Sequence, residues 1–525
     1  MGLLLMTAVF LVFAVVPAVL MNRCAHRFGQ VCEGLAWGLV LLSAAAVVLA
    51  VSSADPVSYA CTLKISVLLG VRLDNLSITL LVLVALLGAV ILRYSRNYLA
   101  GNPQQGYFFK WMVFTQGAVS GFVIAPGLVQ FFLAWLLLSL GLHKLLLFFP
   151  DRRGTLLASR KKFIISRVGD FCLLAAFWGV IGIFGTQDFA DIFARLAEPE
   201  IAAAWSNANW VGWLLVLGAL LKSAQFPFHT WLPDTMGAPT PVSALMHAGI
   251  INAGGFLVVR LSPLLVEMPA ALLSLAVVGT ITTLLAATVM MTQTSVKRAL
   301  AYSTIAQMGF MFLQCGLGAF HLAVLHIVAH SLYKGHAFLA TGSAVRQIKG
   351  VHTQHAHAER LTLSRVTLFL CAAFIIVFGF GALLQSYMPM PPKPGSLVFT
   401  VILALAVSHL MLKYVQIRQS VFRYGMAMIL GVSCAGLYGL LAHGVRKLLI
   451  AELPQFAGHA GGVEIGFALV LGLFMAITLI VQNSRPPLFA SGWTRSLYVH
   501  ALNGFYLNSL VNRALRAIGI VPGKH

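Results

Sequence analysis

Apolar runs of about 20 residues recur from one end of this 525-residue chain to the other. As an α-helix, each run is long enough to cross the ~30 Å hydrocarbon layer of a membrane. Only 9% of the residues are charged, against about 25% in ordinary soluble proteins. The chain is therefore expected to be an all-α, polytopic membrane protein with about 15 transmembrane helices. The predicted spans are 3–21, 34–52, 73–92, 107–125, 128–149, 163–184, 210–228, 241–262, 269–291, 299–317, 319–345, 364–386, 397–413, 424–444 and 463–482.

The excess of basic residues indicates an orientation in the membrane. Lys and Arg number 35 against 14 Asp and Glu, a net charge of +21, which in a soluble protein would suggest nucleic-acid binding. When the spans alternate, however, 25 of the 35 basic residues fall on one side and seven on the other. The positive-inside rule makes the richer side cytoplasmic. The expected location is a bacterial inner membrane, with the N-terminus outside, the C-terminus inside, and lipid rather than nucleic acid as the surrounding partner.

The two ends of the chain and its cysteines add further expectations. The run 3–21 has no basic segment before it and no evident cleavage site, which favours a first span over a signal peptide. Residues 493–521 mix aromatic and aliphatic side chains with arginines, a pattern typical of a helix lying in the membrane interface. No soluble domain follows, so catalysis is expected to belong to a partner. The seven cysteines include no CxxC pair and predict neither a disulfide framework nor a metal site.

Lys222 lies in span 7, five residues before Pro227. A charged side chain at mid-membrane costs roughly 2.5 to 3.5 kcal/mol on insertion scales and normally faces a cavity. Proline removes a backbone donor and breaks the helix, and a second break is predicted at Pro239 and Pro241. A lysine beside a helix break is expected in an ion path. The alternative is a lysine whose ammonium group reaches the interface.

A second polar stripe lies in span 11. His326, His330 and Lys334 follow one another at intervals of four residues, so they share one face of a helix. Imidazole donates, accepts and changes charge near neutral pH, so such a stripe can pass protons through intervening water. His247, just after the second break, could join the two groups. A buried histidine can equally be a structural hydrogen-bonding group.

Other polar residues near the spans have two interpretations each. Asp170 opens span 6 close to Arg167, and it either reduces the cost of burying Lys222 or forms a local pair. Asp234 is interpreted as a turn and helix-start residue. Lys144 is interpreted as a side chain that reaches the interface.

Histidines elsewhere are interpreted as structural. His321 and His336 fall off the stripe of span 11. Three histidines in the loop VHTQHAHAER have a spacing that matches no standard zinc site, so no metal site is assigned to the chain. These residues are His352, His355 and His357, with Glu359 nearby.

From Lys222 to Arg260, in VKRALAYSTIAQMGFMF at 296–312 and in the span 11 stripe, the sequence resembles the antiporter-like subunits of respiratory complex I and of Mrp antiporters. The resemblance implies two inverted five-helix repeats, spans 4 to 8 and 9 to 13, with broken helices at spans 7 and 12. It divides the chain into N-terminal spans (1–106), two repeats (107–262 and 263–422), and a C-terminal part with two spans and an interfacial helix (423–525). It also implies that six side chains conduct ions: Lys222, His247, His326, His330, Lys334 and Asp170.

The sequence departs from those subunits in three places. Where they have Trp-Glu in span 5, this chain has Trp135 followed by Leu136. A break in span 12 is suggested by Gly379 and Gly381, yet residues 366–387 contain no Lys, Asp or Glu where those subunits place a lysine. The long lateral helix of that family is expected to be missing, since LYVHALNGFYLNSLVNRAL looks like only its beginning.

These departures, together with WLLLSLGLHKLLLFFPDR in span 5, make the chain more similar to the membrane subunits of DabA/DabB inorganic carbon accumulation systems. That resemblance implies a DabA-like, zinc-containing cytoplasmic subunit, similar to a carbonic anhydrase, which makes bicarbonate from carbon dioxide. This chain would let H⁺ or Na⁺ run inward and would hold no cofactor itself, and it contains neither a Walker A sequence nor a dinucleotide fingerprint. The alternatives are a pump or cation/proton antiporter subunit of a complex I-like or Mrp-type assembly, and a scaffold that does not conduct.

Overall fold

A computed structural model describes the chain at residues 1–53, 55, 59–66, 69–150, 153–350, 362–388, 395–416, 420–456, 458–459, 461–483 and 492–517. Helices make up most of this part, and short 3₁₀ turns join several of them. Up to residue 265 the helices are α1 (Gly2–Val12), α2 (Ala18–Arg23), α3 (Ala25–Val51), α4 (Asn75–Tyr98), α5 (Gln105–Val123), α6 (Leu128–Leu146), α7 (Arg153–Phe184), α8 (Phe189–Arg195), α9 (Pro199–Ser206), α10 (Asn209–Lys222), α11 (Trp231–Asp234), α12 (Thr240–Ala248), α13 (Ala253–Arg260) and α14 (Ser262–Leu265).

The remaining helices are α15 (Pro269–Thr292), α16 (Val296–Gly316), α17 (Phe320–Gly350), α18 (Leu363–Tyr387), α19 (Ser396–Gln416), α20 (Val421–Leu448), α21 (Gly461–Asn483), α22 (Gly492–Leu502) and α23 (Leu507–Ala517). Each of the fifteen predicted spans overlaps at least one of these helices. The all-α, polytopic class predicted from the apolar runs is confirmed.

Ten helices in the described part are long and apolar enough to cross a membrane: α3, α4, α6, α7, α12 with α13, α15, α18, α19, α20 and α21. The other five predicted spans correspond to α1 with α2, α5, α10, α16 and α17. Of these, α1 and α10 are short apolar helices. Nearly every side chain of α5 is buried by neighbouring helices, and α16 and α17 carry the polar side chains described below. A helix shielded from lipid does not need an apolar surface of its own.

The core is divided between the two ends of the chain. The largest set of packed apolar side chains runs from α1 to α17. A smaller set joins α18, α19 and α20, and a third connects α15, α16 and α17 with α19, α20 and α21. The C-terminal spans therefore pack on the outside of a larger helical body.

The break predicted in span 12 is not present. α18 runs without interruption from Leu363 to Tyr387, through both Gly379 and Gly381. A glycine inside a helix costs only about 1 kcal/mol relative to alanine. No proline lies in this helix to remove a backbone donor, and in an apolar environment the backbone groups are best satisfied within the helix itself.

A short antiparallel hairpin precedes α4, which the sequence did not predict. Its strands are β1 (Ala60–Lys64) and β2 (Gly70–Asp74). The last residue of β2, Asp74, caps α4 by accepting from the backbone N–H of Ser77 at 2.8 Å. Its carboxylate also accepts from Arg260 Nη1 at 2.6 Å and from Arg72 Nε at 2.8 Å. Two guanidinium groups around one fully buried carboxylate thus tie the hairpin to the end of α13.

The loop after α20 packs on the same point. Glu452 Oε1 accepts from the backbone N–H of Asn75 at 3.1 Å, and the Asn75 side-chain amide donates to the carbonyl of Leu448 at 3.1 Å. Burial, together with the nearby charge of Asp74, raises the pKa of Glu452 to about 7, although Arg260 acts in the opposite direction. This carboxyl group therefore holds a proton in the folded protein at a pH where an exposed glutamate would have lost it.

We expect Glu452→Gln to be more stable than the wild type at pH 8, and this advantage to be smaller at pH 5. Because the folded pKa lies above the value of about 4.3 for an unfolded chain, wild-type stability falls as the pH rises through this window. Glutamine keeps the acceptor oxygen without titrating. The expected gain at pH 8 is on the order of 1 kcal/mol, after allowing for solvent screening of this half-buried group. Thermal unfolding of the two proteins in detergent measures it, and parallel melting temperatures across the pH range would contradict it.

Candidate functional site: a buried lysine and histidine path

The candidate site begins where the seventh span is interrupted. α10 ends at Lys222, and the chain resumes a helix only at α11. The opened backbone is satisfied by polar groups inside the protein: Phe226 N–H donates to Thr282 Oγ1 at 3.1 Å, and the carbonyl of Ser223 accepts from Gln225 Nε2 at 2.9 Å. The break predicted at Pro227 is therefore present, and it lies in protein rather than in lipid.

The ammonium group of Lys222 lies against α6. Its Nζ is 3.3 Å from the carbonyl oxygen of Trp135 and 3.4 Å from Ser139 Oγ, and it sits 4.0 Å from the centre of the Trp135 ring. The side chain is only 7% exposed. A lysine that reached an interface would not be held this way, so the structure favours a buried Lys222 over one that extends to the interface.

Asp170 pairs with Arg167 directly and is linked to Lys222 only through Trp135. Its Oδ2 lies 2.6 Å from Arg167 Nη2, which is the local pair. Its Oδ1 accepts from the indole N–H of Trp135 at 2.8 Å, and the ring of Trp135 carries Lys222 on its face. Trp135 therefore links the carboxylate to the lysine, while no direct ion pair joins Asp170 and Lys222 within the described residues.

Lys162 also belongs to this site, and the sequence analysis did not identify it. It lies on α7 and is 4% exposed. Its Nζ donates to the carbonyl oxygen of Ser139 at 2.7 Å and lies 3.2 Å from Ser139 Oγ. In the sequence it stands in the basic run SRKK just before span 6, among the 25 basic residues that the charge count places on the cytoplasmic side. No sequence signal distinguishes it from Arg160 and Lys161, because a lysine beside a span ordinarily extends to the interface.

The eighth span is interrupted in the middle. α12 ends at Ala248 and α13 begins at Ala253, with a 3₁₀ turn between them. Pro241 stands at the start of α12, where a missing backbone donor has no cost, so Pro239 and Pro241 end the unwound segment after α11 rather than break span 8. Within the interruption, the Asn252 side-chain amide donates to Ser331 Oγ on α17 at 2.8 Å.

The three side chains of span 11 follow one another along α17 as predicted. The rings of His326 and His330 have centroids 5.9 Å apart. Lys334 Nζ donates to Ser303 Oγ at 2.6 Å and lies 3.4 Å from the carbonyl of Leu300. The ring of His247, on α12, stacks on the ring of Phe338, on α17, with the two centroids 4.3 Å apart. The ring nitrogens of His247 and His330 have no hydrogen-bond partner in the described part of the chain.

Cavities adjoin the polar side chains of α17, and one of them extends to Leu138 of α6. A small one of about 50 Å³ lies between α4, α5, α6 and α12, and its polar lining is Gln116, Asn252 and Ser331. A larger one of about 360 Å³ is lined by His326 and His330. A third of about 540 Å³ shares Leu322 and Tyr438 with the second, and it reaches His321, Gln385 and His443 at the far ends of α17, α18 and α20.

The structure thus gathers the predicted residues into two groups. Lys222 and Asp170 meet on α6, whereas His247, His326, His330 and Lys334 meet around α17. No hydrogen bond joins the two groups among the described residues, and the small cavity with Asn252 and Ser331 lies between them. Asp234 does not act only as a turn residue, since it forms an ion pair with Lys161 Nζ at 2.7 Å. The predictions for His352, His355, His357 and Glu359 lie outside the described residues.

The lysines and histidines Lys222, His247, His330 and Lys334 form a buried series, called here the buried file. This file and the fold define a polytopic membrane subunit of the antiporter-like class. Residues 125–423 match the transmembrane family of NADH:quinone oxidoreductase and Mrp antiporters, and residues 62–109 match the N-terminal part of chain 5 of NADH-ubiquinone oxidoreductase, complex I. The structure is similar to a chain of the Mrp complex from a Dietzia species, with a TM-score of 0.56 and 24% identity, covering 100% of this chain and 58% of that one.

Two relatives are more specific. The chain is 37% identical over 449 residues to the probable inorganic carbon transporter subunit DabB2 of Halothiobacillus neapolitanus, covering 85% of this chain and 80% of that protein. It is 36% identical over 448 residues to the probable inorganic carbon transporter subunit DabB of Hydrogenovibrio crunogenus, covering 84% and 82%. The chain therefore belongs to the family of DabB inorganic carbon transporter subunits, as the sequence resemblance predicted.

Proposed function

We propose that this chain is the proton-conducting membrane subunit of an inorganic carbon uptake complex. The observation that carries the proposal is the buried file of Lys222, His247, His330 and Lys334 in a chain whose relatives are named inorganic carbon transporter subunits. Charged or titratable groups in such a place are expensive and serve ion movement in most membrane proteins.

The chemistry of the file favours protons over sodium. Its members are amines and imidazoles, which bind and release protons, whereas hard metal cations prefer several oxygen ligands. In the described part of the chain, no three His, Cys, Asp or Glu side chains group closely enough to hold a metal ion. A protonated lysine would also repel a sodium ion.

The proposed direction of flow follows the orientation that the charge distribution predicts, with the N-terminus outside. Protons enter through the cavity lined by His321, Gln385 and His443, reach His326 and His330 in the adjoining cavity, and continue to Lys334. The small cavity extends from Asn252 and Ser331 to Leu138 of α6, and water in it then carries the proton toward Lys222. A cavity of this size has room for a water only where polar partners line it, as these residues do.

We infer that the free energy released by inward proton flow drives a reaction in a partner subunit. Each charge that crosses 100 mV releases about 2.3 kcal/mol, which biases a reaction about fiftyfold. The proposed partner is a DabA-like, zinc-containing cytoplasmic subunit that hydrates carbon dioxide, and inward proton flow would make that hydration effectively one-way. The membrane chain itself would carry no catalytic residue.

Purification of the tagged, full-length chain from its own cells tests this proposal. We expect a large soluble protein to copurify with it and zinc to be present in proportion to that protein, because metal binding would reside in the partner. We also expect the reconstituted complex to acidify the lumen of liposomes when protons are offered outside. Copurification of a string of small membrane subunits instead would indicate an Mrp-type assembly, and intact complexes without proton flux would indicate a scaffold.

A further inference from the structure

Two lysines share one serine in the first group of polar side chains. Lys162 reaches Ser139 from α7, and Lys222 reaches it from the end of α10. The two ammonium nitrogens lie 3.2 Å and 3.4 Å from the same hydroxyl oxygen. Ser139 itself is 2% exposed, so this contact is made away from bulk solvent.

The charges around this serine do not balance if both lysines are protonated. Asp170 is already paired with Arg167, and no carboxylate lies within ion-pair distance of Lys162 or Lys222 among the described residues. The other charged or titratable groups that face the pocket are Arg167, Asp170 and His143. Two uncompensated ammonium groups on one buried oxygen repel each other strongly, because buried charges need partners.

The neighbouring residue shows what a purely structural lysine looks like in this helix. Lys161 is as deeply buried as Lys162, but it forms an ion pair with Asp234 and also contacts Asn508 of α23. A carboxylate balances its charge in place. Lys162 has a carbonyl and a hydroxyl oxygen instead, so nothing among its described contacts holds its proton permanently.

We propose that Lys162 is a second proton-carrying side chain of this site, and that a single proton passes between Lys222 and Lys162 through the Ser139 hydroxyl. The Lys222 ammonium gives a proton to Ser139 Oγ while the hydroxyl proton moves to the neutral amine of Lys162. Lys222 is then neutral, Lys162 is charged, and the serine has regained its hydroxyl. In the proposed orientation α7 starts at the cytoplasmic side, so Lys162 forms the inner end of the path. This inference rests on the proton-conducting function proposed above.

Lys162→Arg is the decisive substitution. Arginine keeps the positive charge and can donate to the Ser139 carbonyl, but it does not release its proton in proteins. We expect proton flux in liposomes, measured with the purified complex, to fall by at least about tenfold. The matched control is Lys161→Arg, which keeps an ion pair with Asp234 and should conduct as the wild type does. Normal flux in Lys162→Arg would show that Lys162 has a structural role only.

Two further variants keep the test valid if arginine disturbs assembly. Ser139→Ala removes the hydroxyl but leaves the backbone carbonyl that holds Lys162, and we expect a comparable loss of flux; unchanged flux would overturn the relay. Lys162→His should conduct with an optimum at lower pH than the wild type, because histidine titrates about four pH units below lysine. An unshifted pH profile in a conducting Lys162→His variant would also contradict the proposal.

The same assay separates this inference from the proposed function. If Lys222→Met conducts normally, proton conduction through this path is wrong altogether. If Lys222→Met blocks flux while Lys162→Arg and Ser139→Ala conduct normally, the proposed function stands and only the second lysine is excluded.

Discussion

Replacing Lys222 by methionine is expected to lower proton flux, and with it growth on limiting inorganic carbon, by about 100-fold or more. Methionine has a similar length and stays unbranched, so it can fill the space beside Trp135 without binding a proton. The lost contacts are an ammonium group over the Trp135 ring at 4.0 Å and two hydrogen bonds of 3.3 and 3.4 Å. Removing a buried and incompletely neutralised charge should not unfold the protein, because its desolvation cost disappears as well.

The control for this experiment is Lys144→Met. Lys144 lies in the last turn of α6, half-buried, with its Nζ 5.8 Å from the centre of the Trp111 ring. Lys144→Met makes the same chemical change at a neighbouring position of the protein, and we expect near-normal uptake. Flux and uptake in membrane vesicles, normalised to the amount of assembled complex, provide the measurement. Normal uptake by an assembled Lys222→Met complex would contradict the proposal that protons pass through Lys222.

Replacing Lys334 by methionine is the second substitution with a large expected effect. Lys334 is fully buried, and its Nζ is held by Ser303 Oγ at 2.6 Å, one turn beyond His330. Since it is the innermost member of the α17 file in the proposed orientation, its loss should interrupt the path before protons reach the cavity beside Asn252. We expect a decrease in flux of about 100-fold, similar to that of Lys222→Met.

His336→Ala is the matched control on the same helix. His336 is exposed and lies two residues further along, on another face of α17, so its removal should leave flux near the wild-type value. The double variant Lys222→Met with Lys334→Met then shows whether the two groups form one path. Residues that act in one sequence of steps give a double loss no larger than either single loss, whereas a multiplied loss would indicate two separate conduits.

Much of the fold could be predicted because its causes are local. A run of 20 apolar residues indicates a span wherever it stands, and each predicted span overlaps a helix of the structure. Pro227 predicted the break after Lys222 for an equally local reason, since a proline removes one backbone donor from its own helix. The break predicted at Gly379 and Gly381 was wrong, because glycine permits a helix break without requiring one. α18 remains continuous through both residues.

The sequence by itself also determined which residues had to be explained, because a lysine or a file of histidines in an apolar span is costly wherever it lies. Only the tertiary structure decided how these side chains are grouped: Lys222 and Lys162 on Ser139, Asp170 joined to them through Trp135, and span 8 opened at Asn252 toward Ser331. Each of these contacts connects different helices, and the rotation and depth of one helix against another come from the packing of the whole bundle rather than from any segment of the chain.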